Sequence, residues 1–150
     1  MNISAKTGNI TDIEVDAIII RLFEGQKKLS GSSKVVDSAL DGAISKLMNR
    51  GEIKGKLKEV TVIYTLGKIK PGIVAIAGMG KSKSFDLENL RQITAVACKR
   101  LRTASVKSIA ADLHGTVADI SPEQSAQSIV EGCLMGLYNF CQHKTENDED

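Results

Sequence analysis

Histidine, the side chain that most often transfers protons in catalysis, occurs twice in this sequence, as His114 and His143. His114 lies directly after a predicted strand, and Asp112 precedes it by two positions, on the same side of an extended chain. Asp112 and His114 therefore form a candidate strand-end site that could share a metal ion or a proton. Metal sites need three or more protein ligands, and the sequence shows no further cluster nearby. A loop histidine with a structural hydrogen bond is the simpler interpretation.

A second candidate site is the loop Gly78-Met79-Gly80-Lys81, which follows a predicted strand and precedes a helix. Glycines at such a place let the backbone approach a ligand, and their amides could bind phosphate with help from Lys81. The spacing lacks the third glycine of the dinucleotide fingerprint and does not match the P-loop. The structural alternative is that Gly78 and Gly80 form a tight turn at the sheet edge.

The remaining polar side chains form no recognisable catalytic set. No Gly-x-Ser-x-Gly nucleophile turn occurs, and Asp37 and Asp41, four apart on a predicted helix, are interpreted as a solvated face. The loop lysines have no interleaved aromatic residues on which bases could stack. The sequence by itself therefore predicts a folded domain without catalytic residues.

Hydrophobic periodicity predicts the elements that would position these loops. We expect strands over 3–7, 15–22, 60–66, 73–77 and 108–113, and helices over 35–48, 86–103 and 121–140. The turn between the third and fourth strands is too short for a crossover, so this pair is expected to be antiparallel. The order predicts an α/β fold with a mixed, mostly parallel sheet and helices on both faces.

Local signals mark the ends and contacts of the helices. Asp86 is a predicted N-cap, and Ser121 is predicted to cap the last helix in a capping box with Gln124. Gly51 is placed to end the helix over 35–48. On the last helix, the glycine pair 132 and 136 would allow close contact with a neighbour. Its buried face is predicted to contain Ile129, Cys133, Leu137 and Phe140.

Composition limits the class of protein. The chain has 150 residues, enough for one domain, and its 3% aromatic content without Trp predicts an aliphatic core. Three cysteines without close pairs in the sequence, Cys98, Cys133 and Cys141, indicate buried, reduced thiols. The N-terminus lacks the apolar core of a signal peptide, and no apolar run approaches the ~20 residues of a membrane helix. We therefore expect a cytoplasmic protein that does not contact membranes.

The net charge of +2 conceals an asymmetry between the body and the tail. Residues 144–150 hold one basic and four acidic side chains, and the rest holds 19 basic and 14 acidic side chains, a net charge of +5. Such a body could bind DNA weakly, although an ordinary solvated surface explains it equally. The tail itself is interpreted as an acidic linker.

Several segments together resemble the N-terminal domain of the cytosol (leucyl) aminopeptidase family. They are Leu29-Ser30-Gly31, the strand over 73–77 with the glycine loop that follows it, the helix segments 88–92 and 95–99, and Val130-Glu131-Gly132-Cys133-Leu134-Met135-Gly136-Leu137-Tyr138-Asn139-Phe140. The last of these is similar to the family's E-G-x-x-L-G-x-Y-x-F-type helix. The resemblance extends from the first strands to Phe140.

The resemblance implies a macro-domain-like three-layer sandwich and a non-catalytic role in a longer enzyme. In that family a separate C-terminal domain removes N-terminal residues with two divalent metals, zinc or manganese, and its signature resembles N-T-D-A-E-G-R. That signature is absent here, so no catalytic or metal-binding residue carries over to this chain. The family implies a domain over 1–143, an acidic linker over 144–150, and partners in the catalytic domain and the sister subunits of a hexamer.

Two other functions remain as alternatives. Macro domains proper bind ADP-ribose, which makes a small-ligand module the runner-up, and weak DNA binding is the third possibility. Against the first, the stretch Gly115-Thr116-Val117-Ala118 is poor in glycine for binding a diphosphate.

Overall fold

The computed structural model describes residues 1–113 and 119–138. Four strands and four helices, with one short 3-10 turn at Ser82–Ser84, make up this part of the chain. The strands are β1 (Ala17–Leu22), β2 (Val60–Tyr64), β3 (Ile73–Gly78) and β4 (Ile109–Ala111). The helices are α1 (Gly31–Ala39), α2 (Ala43–Asn49), α3 (Leu87–Arg102) and α4 (Pro122–Leu137).

The sheet is mixed, with the strand order β2-β3-β1-β4. β1 pairs in parallel with β3 and β4, whereas β2 pairs antiparallel with β3. The predicted antiparallel pair and the mostly parallel sheet are therefore confirmed. Strand β3 is buried at every position and β1 at all but one, as expected of central strands covered on both faces.

Alternate residues of β1 point into two separate cores. Ile18, Ile20 and Leu22 pack with Val36 and Ile44 on the side of α1 and α2. Ala17 and Ile19 pack on the other side, against residues of α3 that include Leu90, Ile93 and Leu101. The three-layer arrangement with helices on both faces is thus confirmed.

The sequence prediction was wrong for the first strand and for the first helix. Residues 3–7 form no strand, because this short segment has too few apolar side chains to bury, and Ile3 remains 57% exposed. The helix over 35–48 is two helices, since Asp41 and Gly42 both have positive φ values, 56° and 75°. Asp37 is not part of a solvated face; its Oδ1 accepts hydrogen bonds from Ile44 N at 2.8 Å and from Ser45 N.

The predicted caps at Asp86 and Ser121 and the predicted stop at Gly51 are confirmed, whereas α4 ends at Leu137 and not at Phe140. Asp86 Oδ1 accepts a hydrogen bond from Asn89 N at 2.7 Å, and Ser121 and Gln124 form the reciprocal capping box. Gly51 follows α2 with φ at 73°. No helix among the described residues is long and apolar enough to cross a bilayer.

The buried face of α4 matches the predicted one in part. Ile129 and Cys133 pack against the core as partly buried residues. The fully buried residues are Ser125, Ser128, Gly132 and Gly136, whereas Leu137 is exposed and Phe140 lies outside the described residues. Small side chains take this face because α4 lies directly on the backbone of α3. The predicted close contact at the two glycines is confirmed: a Cβ on Gly132 would lie 2.5 Å from the carbonyl oxygen of Arg91.

Candidate functional site at the carboxyl ends of the strands

The parallel strands bring the two sequence-predicted sites to the same edge of the sheet. Strands β1, β3 and β4 share a direction, so Gly78, which ends β3, and Asp112, which follows β4, both lie at the carboxyl ends. Ligands of open α/β sheets bind at this edge. His114, the predicted companion of Asp112, lies outside the described residues.

The amides of the glycine loop are already bonded within the chain. Gly78 N donates to Glu59 O at 2.7 Å, Met79 N to Leu22 O at 2.9 Å, and Gly80 N to Gly55 O at 2.9 Å. A phosphate group at this loop would have to displace these bonds. The ligand role of Gly78, Gly80 and Lys81 stays a prediction, and the bonds support a structural role.

The glycines are required because three loops cross here. A Cβ on Gly78 would overlap the carbonyl oxygen of Lys56, and one on Gly80 would lie 3.0 Å from Leu57 Cβ. Gly55 in turn lies against Phe23, whose carbonyl oxygen would be 2.6 Å from an added Cβ. The segment 54–58 therefore lies across the ends of β1 and β3 and contacts the backbone of both.

Arg21 is the charged group at this edge that sequence reasoning missed. Its Nη2 donates to the carbonyl oxygen of Asp112 at 2.5 Å, which ties the end of β1 to the end of β4. Burial lowers the pKa of the Arg21 guanidinium, and the charge of Asp112 opposes that change. The sequence does contain a signal for Arg21, which interrupts the apolar run 18–22. A charged side chain in a strand that is otherwise buried needs a partner.

The space beside Arg21 is too small for a substrate. A cavity of about 10 Å³ lies between the sheet, α3 and α4, lined by residues that include Ile19, Arg21, Ala77 and Asp112. A space of this size holds at most one water molecule. Within residues 1–113 and 119–138, no three His, Cys, Asp or Glu side chains come close enough to hold a metal ion.

Exposed lysines surround the same edge. The loops that meet at the ends of β1 and β3 carry seven exposed lysines, which form none of the ion pairs found among the described residues. We call this surface the lysine edge; it consists of Lys27, Lys28, Lys54, Lys56, Lys58, Lys81 and Lys83.

Comparison with known proteins assigns the chain to a family. The model of the cytosol aminopeptidase family, N-terminal domain, matches residues 19–147. This chain belongs to that family. The cytosol aminopeptidase resemblance noted in the sequence is therefore confirmed.

Relatives match along nearly the whole of this cytosol aminopeptidase domain. A protein of Alkaliphilus oremlandii named "Probable cytosol aminopeptidase" is 32% identical over 145 residues, which are 97% of this chain and 29% of the relative. A protein of the same name from a Sulfurihydrogenibium species is 30% identical over 149 residues, 99% of this chain and 29% of its own length. The chain thus spans less than a third of these relatives.

Solved structures show the same fold. A tomato leucine aminopeptidase variant superposes with a TM-score of 0.71 at 19% identity, over 89% of this chain and 27% of that one. The macrodomain of Mycobacterium tuberculosis DarG superposes with a TM-score of 0.68 at 16% identity, over 85% of this chain and 86% of that one. The macro-domain-like fold of the aminopeptidase N-terminal domain is therefore confirmed.

Proposed function

We propose that this chain is the non-catalytic N-terminal domain of a metal-dependent leucyl aminopeptidase and that it helps to assemble the enzyme. In this proposal a separate C-terminal domain removes N-terminal residues with two divalent ions, zinc or manganese. Support comes from the family match and from relatives that are more than three times as long as the matched region. The carboxyl edge of the sheet supports the non-catalytic role, because the backbone amides of its glycine loop already donate to other backbone atoms and are not free to hold a ligand.

The observation that carries the assembly role is an apolar surface at the end of α4. Four neighbouring apolar residues are exposed there, and we call them the α4-end patch: Leu134 (54%), Met135 (52%), Leu137 (37%) and Tyr138 (70%). Contiguous exposed apolar side chains mark protein interaction sites in soluble proteins. We assign this patch to contacts with sister subunits of a hexamer.

Sedimentation of the full-length protein tests the assembly role. Leu134→Ser combined with Met135→Ser removes apolar contact area without touching the buried face of α4. We expect the mass to fall from that of a hexamer to that of smaller species. The matched control is Leu66→Ser, which is 90% exposed in the turn between β2 and β3 and should leave the hexamer intact. A double variant that still sediments as a hexamer would refute the assignment.

Peptidase assays test the non-catalytic role. We expect the 150-residue chain to release no product from leucine anilides with added manganese or zinc, and the full-length protein to do so. Turnover that follows the purified chain and stops with a chelator would contradict the proposal.

The reading frame beyond the Asp150 codon gives a second test, since we expect it to encode a signature resembling N-T-D-A-E-G-R.

The lysine edge favours a second candidate function, weak binding to the DNA backbone. Seven exposed cations on adjoining loops can contact phosphates, and binding of this kind is salt-dependent and independent of base sequence. Phe23 and Phe85, the aromatic residues of these loops, pack edge to face on each other with ring centroids 5.5 Å apart, which argues against their stacking on the bases of single strands. Fluorescence anisotropy with a labelled duplex at low and physiological salt measures the affinity.

Charge-matched variants distinguish the lysine edge from general charge. The double change Lys54→Gln with Lys56→Gln should weaken binding and reduce the salt slope by about 0.9 for each phosphate that a lysine no longer neutralises. Lys68→Gln with Lys70→Gln is the control, because these lysines pair with Asp41 and Glu14. An equal weakening in both variants would remove this candidate, and sequence-specific retention at physiological salt would place it above the assembly role.

A further inference from the structure

Two thiols that are far apart in the sequence meet between α3 and α4. Cys98 on α3 and Cys133 on α4 are separated by 35 positions, yet their Sγ atoms lie 3.4 Å apart. Cys98 is completely buried, whereas Cys133 is only partly covered. Both are free thiols, so the contact is a hydrogen bond from Cys98 to Cys133.

Backbone packing holds the two thiols at this distance. The glycines that flank Cys133 bring α4 onto α3, since a Cβ on Gly136 would lie 2.5 Å from the carbonyl oxygen of Ala95. An ion pair from Arg91 Nε to Glu131 Oε2 at 2.6 Å fixes the same register. A disulfide bond is about 2.05 Å long, so the sulfur atoms need to approach by little more than 1 Å.

The two sulfur atoms differ in reactivity. The hydrogen bond donated by Cys98 lowers the pKa of the Cys133 thiol, which favours a thiolate on the less buried cysteine. The same hydrogen bond, together with burial, raises the pKa of the Cys98 thiol. Cys133 is therefore suited to meet an oxidant first, and Cys98 retains its proton for the second step.

We propose that Cys98 and Cys133 form a peroxide-induced disulfide that joins α3 to α4. In the first step the Cys133 thiolate attacks hydrogen peroxide; an S–O bond forms, the O–O bond breaks, and hydroxide leaves to become water. In the second step Cys98 gives its proton to the sulfenic hydroxyl as its Sγ attacks the sulfenic sulfur; the S–S bond forms, the S–O bond breaks, and the hydroxyl leaves with that proton as water. Two thiols are oxidised and one peroxide is reduced to two water molecules.

The sharpest test uses a variant that leaves α3 and α4 unchanged. Cys141→Ser removes the third cysteine and leaves only the proposed pair. After treatment with hydrogen peroxide we expect both thiols to disappear from a thiol assay, the protein to remain monomeric on a non-reducing gel, and dithiothreitol to restore both. Intact mass should fall by about 2 Da, the two hydrogen atoms lost.

Stability gives an independent readout. A crosslink between distant positions restricts the unfolded chain, so the oxidised variant should melt about 10 °C higher than the reduced one. Adding Cys98→Ala or Cys133→Ala to Cys141→Ser should abolish both the mass loss and the shift. Two thiols that survive peroxide, a gain of oxygen atoms without a crosslink, or only intermolecular dimers would each overturn the proposal.

Discussion

Asp16, a single exposed residue before β1, joins the starts of three strands. Its carboxylate accepts hydrogen bonds from Lys107 N at 2.8 Å and Ser108 N at 2.9 Å, at the start of β4. Its carbonyl oxygen accepts from Gly72 N at 3.0 Å and Ile73 N at 3.1 Å, at the start of β3. The backbone hydrogen bonds to its carboxylate lower the pKa of Asp16.

The lowered pKa makes this contribution to stability dependent on pH. Because the folded-state pKa lies below the unfolded value, the stabilisation is complete above the unfolded pKa, near 3.8, and is lost as pH falls through the folded pKa. We predict that Asp16→Asn lowers the urea midpoint at neutral pH and that the difference from wild type narrows at about pH 2. Urea unfolding followed by circular dichroism at both pH values measures this.

A neighbouring carboxylate provides the control for Asp16. Glu14 forms only an exposed ion pair with Lys70 at 3.7 Å, so Glu14→Gln should change the midpoint little at either pH. An Asp16→Asn variant whose deficit is the same at both pH values would show that its carboxylate charge is not responsible.

Among the elements, the α3–α4 pair is brought into close contact by small residues of α4, beside which Ile129 and Cys133 pack on the core. The four buried residues of α4 are serines and glycines, and Gly136 rests on the backbone of Ala95. Glycine lowers intrinsic helix stability by about 1 kcal/mol relative to alanine, so its place here is explained by the contact and not by propensity.

Gly136→Ala separates these two effects because they have opposite signs. Helix propensity alone would stabilise the protein by about 1 kcal/mol, whereas the new Cβ would lie 2.5 Å from Ala95 O and force the helices apart. We predict a net loss of about 1–3 kcal/mol in the free energy of unfolding, since overpacking dominates. Gln127→Ala, at an exposed position of α4 outside the α4-end patch, should stay within about 0.5 kcal/mol in the same urea titration. A stabilised Gly136→Ala would contradict the close packing.

The helix caps could be predicted from sequence because they depend on residues three apart, as at Asp86 and Ser121. The break between α1 and α2 was missed because the apolar period continues through Asp41, although Gly42 marks the turn. Arg21 was missed for another reason: its partner Asp112 is 91 positions away, and only the parallel pairing of β1 with β4 brings them together. Contacts set by sheet order lie beyond a local pattern.

For the whole molecule, the macro-domain-like fold does not by itself imply binding of ADP-ribose, the ligand of macro domains proper. The chain shares its architecture with the DarG macrodomain at 16% identity, which shows the fold alone. At the carboxyl edge, the segment 54–58 lies across the ends of β1 and β3, and the amides of Gly78, Met79 and Gly80 are bonded to other backbone atoms. Binding a diphosphate there requires several free, converging amides.

These contacts predict that the affinity of the protein for ADP-ribose is very low. The amides of the glycine loop cannot turn to a phosphate without releasing segment 54–58, and the cavity beside Arg21 is about 10 Å³. We expect titration calorimetry with ADP-ribose to give a Kd no tighter than about 1 mM, which corresponds to ~4 kcal/mol. A micromolar Kd that is lost in Gly80→Val would establish the phosphate-binding loop instead. Gly67→Val is the matched control, because Gly67 also has a positive φ, 82°, but has no neighbour within 4 Å of an added Cβ.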